Sequence, residues 1–190
     1  ITAPAISGSD LTHEVGVSPG DLVSLQVEPL NVPANNVTPH HGLTFVATRD
    51  GESLILGEGS SPIAAAPQYA RLCSSDENLW QGADIYVDCG QETNLRKLYV
   101  NLQTAPGGIA TRNFTVRQNI ANTALTVTIS GANTSGNNIV NQVTISDLDD
   151  VSMGHTPGGG PAAAGRTTWG VVSLLAVIPT VTTDPATGVT

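Results

Sequence analysis

The chain is poor in basic residues and in aromatic residues. Its 190 residues contain 7 lysines and arginines against 16 aspartates and glutamates, which gives a formal net charge of −9. A nucleic-acid partner requires a basic face that displaces counterions from the phosphates, and an anionic membrane attracts basic segments. The composition therefore argues against both partners. The scattered acidity instead favours solubility and mutual repulsion between copies.

Long apolar runs are also missing. The longest run, residues 169–179, is about half of what a membrane-spanning helix needs, so it predicts a buried strand and no membrane span. The chain begins at Ile1 and its one methionine, Met153, is internal. We interpret this as a mature product that is secreted after N-terminal processing and works outside the cell.

Cysteine is scarce, with Cys73 and Cys89 alone. They lack C-x-x-C spacing and have no histidine nearby, so a disulfide that closes a short loop is favoured over a zinc site. Such a loop would stabilise the fold by about 3 kcal/mol. The N-x-Ser/Thr sequons at Asn36, Asn113 and Asn133 agree with export and are candidate sites for covalent glycans.

Glycine and proline are plentiful, at 20 and 12 residues, and the apolar residues are mainly Val, Ile, Leu and Ala. This composition predicts many short strands joined by turns. Apolar and polar residues alternate as half-buried strands require, or form short apolar runs, in six segments. The six are residues 97–103, 113–118, 123–130, 140–145, 151–155 and 168–178. We therefore predict an all-β antiparallel β-sandwich or jelly roll.

The sequence also contains an internal repeat. Residues 20–48 align without a gap to residues 148–176. The identical pairs are Asp21/Asp149, Val23/Val151, Ser24/Ser152, Pro29/Pro157, Pro33/Pro161, Ala34/Ala162 and Gly42/Gly170. Such self-similarity indicates a duplicated supersecondary unit.

The first copy of this unit is incomplete at its N-terminus. We divide the chain into an extended arm, a truncated first repeat unit, a connecting segment with the predicted disulfide loop, and a complete second β-sandwich unit. These segments span residues 1–17, 18–57, 58–94 and 95–190. The truncated unit leaves an open groove with unpaired backbone.

Two repairs of that groove remain open. The chain between the copies can fill it, including a hairpin predicted between residues 44–48 and 53–56. Alternatively, a neighbouring copy donates a strand from its arm, where Ala3, Ala5 and Ile6 are the candidate donor residues.

Residues 95–175 resemble a loose family of uncharacterised secreted β-sandwich modules. The resemblance is carried by the segments LYVNLQTAPGG, NFTVRQN, TALTVTISG and DDVSMGHTPGGGPAAAG, followed by Trp169. These modules look like jelly-roll domains of extracellular assemblies. The architecture is also similar to the subunits of strand-complemented, pilus-like fibrils. The resemblance implies a fold and self-association, and it implies no catalytic residues.

Motifs of catalysis and metal binding are absent from the sequence. No G-x-S-x-G and no phosphate-binding glycine loop occurs, so we expect no enzyme and no cofactor. Adjacent residues of a strand point to opposite faces, which argues against His40 and His41 as a metal pair. Asp147, Asp149 and Asp150 could offer oxygen ligands to calcium, but they lack the glycine and distal glutamate of an EF-hand loop, so a solvated turn is favoured.

Taken together, these features predict a structural subunit of an extracellular filament that polymerises head to tail by β-strand complementation. Its partners would be copies of itself. One alternative is a virion-surface jelly-roll protein of a capsid, decoration or fibre. Another is a carbohydrate-binding or adhesin module, for which Trp80 is the aromatic residue expected to be exposed.

Overall fold

The computed structural model describes residues 9–18, 21, 23, 24, 26, 45–62, 64–75 and 80–175. The chain divides into two units, Ile1–His41 and Gly42–Thr190. In the first unit, the Asp10 carboxylate accepts hydrogen bonds from the backbone N–H groups of Thr12 and His13. These hydrogen bonds lower the pKa of Asp10. The candidate donor residues Ala3, Ala5 and Ile6, the sequon at Asn36 and the pair His40–His41 lie outside the described residues.

The described residues of the second unit form ten strands in two packed sheets. They are β1 (Glu52–Gly59), β2 (Gln68–Arg71), β3 (Ser74–Ser75), β4 (Val87–Asp88), β5 (Thr93–Leu102), β6 (Thr111–Gln118), β7 (Ala121–Ser130), β8 (Ser135–Ile145), β9 (Asp150–Gly158) and β10 (Thr167–Leu175). Sheet A has the order β3-β1-β10-β5-β8. Sheet B has the order β2-β9-β6-β7, and β4 also pairs with β9. All pairings are antiparallel except the short one between β1 and β3.

The predicted all-β sandwich is confirmed for the part of the chain that the structure describes. The alternation of apolar and polar residues along strands such as β7 produces the two-layer sandwich. In β7, the side chains of Leu125, Val127 and Ile129 are buried and the residues between them face outward. Within the described ranges, no helix is long and apolar enough to cross a membrane.

Aromatic rings fill one part of the core between the sheets. The Trp80 ring lies 6.0 Å from Phe114, 5.8 Å from His155 and 5.6 Å from Trp169, measured between centroids. The Trp169 indole N–H donates a hydrogen bond of 2.8 Å to the Leu72 carbonyl, so this buried polar group is satisfied. Trp80 and Leu72 belong to the connecting segment, which therefore contributes to the same core.

Strand β1 pairs with β10 along its whole length, from Glu52 opposite Leu174 to Gly59 opposite Thr167. The hairpin predicted between residues 44–48 and 53–56 is not formed, because residues 45–48 belong to no strand. A long-range partner thus replaces the local one, since β10 offers β1 an apolar neighbour on both faces.

The connecting segment runs along one edge of β9 in two pieces. Arg71 of β2 lies opposite Ser152, and Val87 of β4 lies opposite Val151, so the two strands share that edge end to end. Between them the chain crosses to sheet A, where β3 pairs with β1.

This path separates the two cysteines. Cys73 lies on the crossing to sheet A, whereas Cys89 stays with sheet B, where its backbone N–H donates to the Asp149 carbonyl. Both are free cysteines, and the Cys89 thiol donates to the Gln91 carbonyl. The disulfide predicted between them is therefore not formed in the structure.

Candidate functional site

The first candidate site is the outer edge of strand β1. Its partner on this side, β3, pairs only with Gly57 and Glu58. Among the described residues, no strand pairs with this side of residues 52–56, a stretch called here the open edge of β1, and the Glu52 N–H at its start donates to the Arg49 carbonyl in a turn. Backbone N–H and C=O groups at such an edge can pair with another extended segment.

Strand β1 is apolar on both of its faces. Ile55 lies opposite Val171 and packs against the core, while Leu54 and Leu56 lie on the outer face of sheet A. Leu56 is 51% exposed. Strands that are apolar on both faces are typical of the interior of a layered fold, where both faces are covered. The sequence of β1 is therefore that of a strand with both faces covered, although β1 lies at the margin of the sheet.

Ion pairs flank this apolar stretch. Glu52 pairs with Arg96 of β5, and a Glu58 oxygen lies 4.0 Å from the Arg166 guanidinium. A segment that docks beside β1 thus meets apolar side chains at its centre and charged groups at its ends.

The other margin of sheet A is built differently. The Asn138 side chain of β8 donates to the backbone carbonyls of Ala124 and Thr126 in β7 and so occupies acceptors at the edge of sheet B. Its oxygen also accepts from the N–H groups of Val140 and Asn141, at a bulge that interrupts β8. Bulges and occupied edge groups oppose strand addition. Of the two margins of sheet A, the β1 margin is the one suited to docking.

The second candidate site is a depression on the outer face of sheet B, with a volume of about 330 Å³. Tyr69, Gly154, Thr115 and Thr126 form one row across the four strands of the sheet. Because Gly154 has no side chain, the row has a gap between Tyr69 and Thr115. The sheet itself supplies the floor of the depression.

Arg117 crosses this gap. A Cβ atom at position 154 would lie 2.7 Å from Arg117 Cδ, so glycine is required for this path. The guanidinium lies 4.4 Å from the Tyr69 ring centroid and 2.7 Å from an Asp84 oxygen. Among the described residues, neither Arg117 Nε nor Asp84 Oδ1 has a hydrogen-bond partner, although both atoms are buried. Asp84 neutralises the Arg117 charge but does not line the depression, so the unused donor at the depression is Arg117 Nε.

The acidic turn before β9 is a hydrogen-bonded structural turn. The Asp149 carboxylate accepts from the side chains of Asn119 and Gln118 and from the Ser146 N–H, and these bonds lower its pKa. Asp147 is exposed. No group of three or more His, Cys, Asp or Glu that could hold a metal ion occurs in the described ranges.

Asp150 lies directly opposite Asp88 in the β4–β9 pair. Burial and the neighbouring Asp88 raise the pKa of Asp150.

Two of the three sequons lie in the described part of the chain. Asn133 is exposed in the turn between β7 and β8. Asn113 is half-buried on the outer face of sheet B, where its side-chain oxygen accepts a hydrogen bond of 2.6 Å from Thr128. Glycosylation at these positions stays a prediction.

The expectation that Trp80 is exposed is wrong. Trp80 is 7% exposed, and its indole N–H donates to the Ser60 carbonyl. The polar residues beside Trp80 in the sequence suggested a surface position, but its side chain points into the aromatic part of the core. The candidate sites instead involve Tyr69 and strand β1, and sequence reasoning had not singled out β1 as a binding site.

Comparison with known proteins gives no match: no family model, no curated protein and no solved structure is significantly similar to this chain. The resemblance to secreted jelly-roll modules therefore stays a prediction from the sequence segments quoted above.

Proposed function

We propose that this protein is a structural subunit of an extracellular filament and that it assembles head to tail by β-strand complementation. The open edge of β1 is the observation that carries the proposal. It combines backbone without a strand partner over residues 53–56, beyond the turn hydrogen bond of the Glu52 N–H, with apolar side chains on both faces. Strand addition uses both features, because backbone hydrogen bonds give affinity and alternate side chains give register.

The donor in this proposal is the arm of a neighbouring copy, residues 1–17. Neighbouring residues of a strand turn their backbone groups to opposite sides, and Pro4 has no N–H to donate. Pro4 must therefore turn away from β1, which directs the backbones of Ala3 and Ala5 towards it. In this register, the Ala3 and Ala5 side chains share one face of the added strand and Ile6 lies on the other.

Assembly of this kind is heterologous, since the arm and the open edge of β1 are different surfaces. Heterologous contacts propagate unless the rotation between subunits closes a ring. A filament is therefore the expected product. The proposal requires no cofactor and no catalytic step.

The test compares the full chain with a variant that lacks residues 1–17, by negative-stain electron microscopy and size-exclusion chromatography. We expect fibres from the full chain and folded, non-polymerising subunits from the truncated chain. A synthetic peptide of residues 1–17 should bind the truncated chain. Compact full-length monomers would contradict the proposal, and closed rings of defined symmetry would favour the virion-surface alternative.

A matched pair of full-length variants tests the acceptor side. Leu56→Lys places a charge beside the open edge of β1, where the side chain is half exposed, and should abolish fibres without unfolding the subunit. Leu148→Lys changes the same residue type at an exposed turn remote from that edge and should leave assembly intact. Equal assembly by the two variants would show that the contact lies elsewhere.

A further inference from the structure

We propose that the depression on the outer face of sheet B binds a neutral, polyhydroxylated ligand, of the size and chemistry of one sugar unit. This binding site is separate from the open edge of β1 and goes beyond the assembly function. It is argued from the charge, the hydrogen-bonding groups and the rigidity of the residues that line the depression.

Charge excludes most other ligand classes. Of the described residues that line the depression, Arg117 is the one that is charged, and its guanidinium is paired with Asp84 at 2.7 Å. An anion would therefore find no free positive charge, and the net charge of −9 repels it further. A cation would find no lining carboxylate. The site is electrically neutral, and a neutral ligand fits it.

The lining offers donors and acceptors together. Thr156 and Asn122 provide a hydroxyl group and an amide, which can both donate and accept hydrogen bonds, as a sugar hydroxyl can. The Thr115 hydroxyl already shares a hydrogen bond of 3.0 Å with the Thr126 hydroxyl, so it has less capacity left for a ligand. Apolar rim residues, Pro67 and Ile120, offer contacts for the C–H faces of a sugar ring. This mixture suits a ligand that alternates hydroxyl and C–H surface.

The buried Arg117 side chain also favours a ligand that carries a hydroxyl group. Its Nε is an unused donor, and Arg117 is only 8% exposed. Arg117 lines the depression whereas its partner Asp84 does not, so Arg117 Nε is the unused group of this pair that a ligand hydroxyl could accept from. A purely apolar ligand would leave this donor unsatisfied.

The four strands of sheet B hold these groups in place. Tyr69 lies on β2, Gly154 and Thr156 on β9, Thr115 on β6 and Asn122 on β7. Sites on strands are more rigid than sites on loops, which lowers the cost of ordering the site on binding. The depression is open and small, so the expected dissociation constant for a single sugar unit is about 1–10 mM.

Ligand-observed saturation-transfer NMR tests this site, because it works on monomers and on assemblies. The probes are the neutral methyl glycosides of glucose, galactose, mannose and N-acetylglucosamine, with glucose 6-phosphate and glucuronate as charged counterparts. We expect a saturable signal for at least one neutral glycoside and weaker signals for the charged sugars. No saturable signal for any neutral glycoside up to roughly 50 mM, or stronger binding of the charged sugars, would overturn the proposal.

Variants then localise the site. Asn122→Leu combined with Thr156→Val removes exposed hydrogen-bonding groups of the lining, and binding should weaken about tenfold or more. Thr128→Val removes an exposed hydroxyl from the same face of the sheet but outside the depression, and binding should persist. Thermal unfolding confirms that each variant is folded. Binding that survives in the folded double variant would place the ligand elsewhere and refute the assignment.

Discussion

His155 and Arg112 are two fully buried polar residues in contact with each other. One Arg112 nitrogen donates to the Pro62 carbonyl at 3.0 Å and to His155 Nε2 at 3.1 Å, and the other donates to the Ala162 carbonyl at 2.7 Å. These contacts join the segment after β1 and the loop before β10 to strand β6. Burial, with the nearby Arg112 charge, lowers the pKa of His155 to about 3. His155 is therefore neutral in the folded protein, and its Nε2 accepts a hydrogen bond from the Arg112 guanidinium.

This pKa shift predicts acid sensitivity. The unfolded chain binds a proton at His155 below pH 6.5, whereas the folded protein does not until about pH 3. The contribution of His155 to stability is thus complete above pH 6.5 and is lost as the pH falls towards 3, by up to about 1.4 kcal/mol per pH unit. Urea unfolding between pH 7.5 and 5 measures it. The control is His155→Gln, which cannot titrate and should lose less stability over this range; an equal loss in both proteins would refute the prediction.

Among the elements, β1 is tied to β10 by a close approach. A Cβ atom at Gly57 would lie 2.2 Å from Cε2 of Trp169, in the ring that packs against Trp80. The register between β1 and β10 therefore depends on a residue without a side chain at position 57.

Gly57→Ala should destabilise the protein by about 1–3 kcal/mol, because Trp169 cannot keep its position in a well-packed core. Gly82→Ala is the matched control, since a Cβ atom there meets nothing within 4 Å. Chemical denaturation followed by Trp fluorescence compares the two variants. Similar stability in both would show that the aromatic packing accommodates the added methyl group.

The two free cysteines of the structure predict the thiol chemistry of the protein. The protein purified without reductant and then denatured should show two thiols with Ellman's reagent. In the native protein, Cys73 should react faster than the half-buried Cys89, because Cys73 is exposed. A count of zero thiols would instead support the disulfide that the sequence predicts.

The strands differ in how far the sequence could predict them. The segments 113–118 and 123–130, predicted from period-2 alternation, match β6 and β7 closely, whereas 97–103 covers only the later part of β5, which begins at Thr93. Val151–His155 of β9 are all buried, so alternation does not mark that strand. Strand β8 begins at Ser135, earlier than predicted, because its first residues are polar. Strands β2, β3 and β4 are too short to show a period. β1 was assigned a local partner because a turn follows Arg49, whereas its actual partner is distant in the sequence.

The two candidate sites were not predictable from the sequence, because they also depend on pairing between strands that are distant in the chain. The depression on sheet B depends on Gly154 lying between Tyr69 and Thr115, and that arrangement follows from the register of three separate strands. Local sequence shows a glycine in a strand but not which residues flank it in the sheet. The open edge of β1 likewise depends on which strand is its neighbour.

For the whole molecule, charge should control the rate of assembly. The chain has a net charge of −9 and a pI of about 4.6, so copies repel one another at neutral pH. Raising NaCl from 20 mM to 500 mM shortens the screening length and should accelerate fibre growth, as measured by light scattering. The variant that lacks residues 1–17 is the control and should not scatter at either concentration. Growth that slows in high salt would show that attraction between charges drives the contact.

The pairing of β1 with β10 also determines the order of folding. These are the first and last strands of the described sandwich, and β10 separates β1 from β5 in sheet A. Sheet A therefore cannot close until the chain has been synthesised through Leu175, whereas β6 and β7 can pair through the short turn at Asn119–Ile120 as soon as both exist. Loop-closure entropy makes such distant pairings slow. During that interval the apolar edges of β1 lack β10, and the nascent chain passes through a stage in which premature association competes with folding.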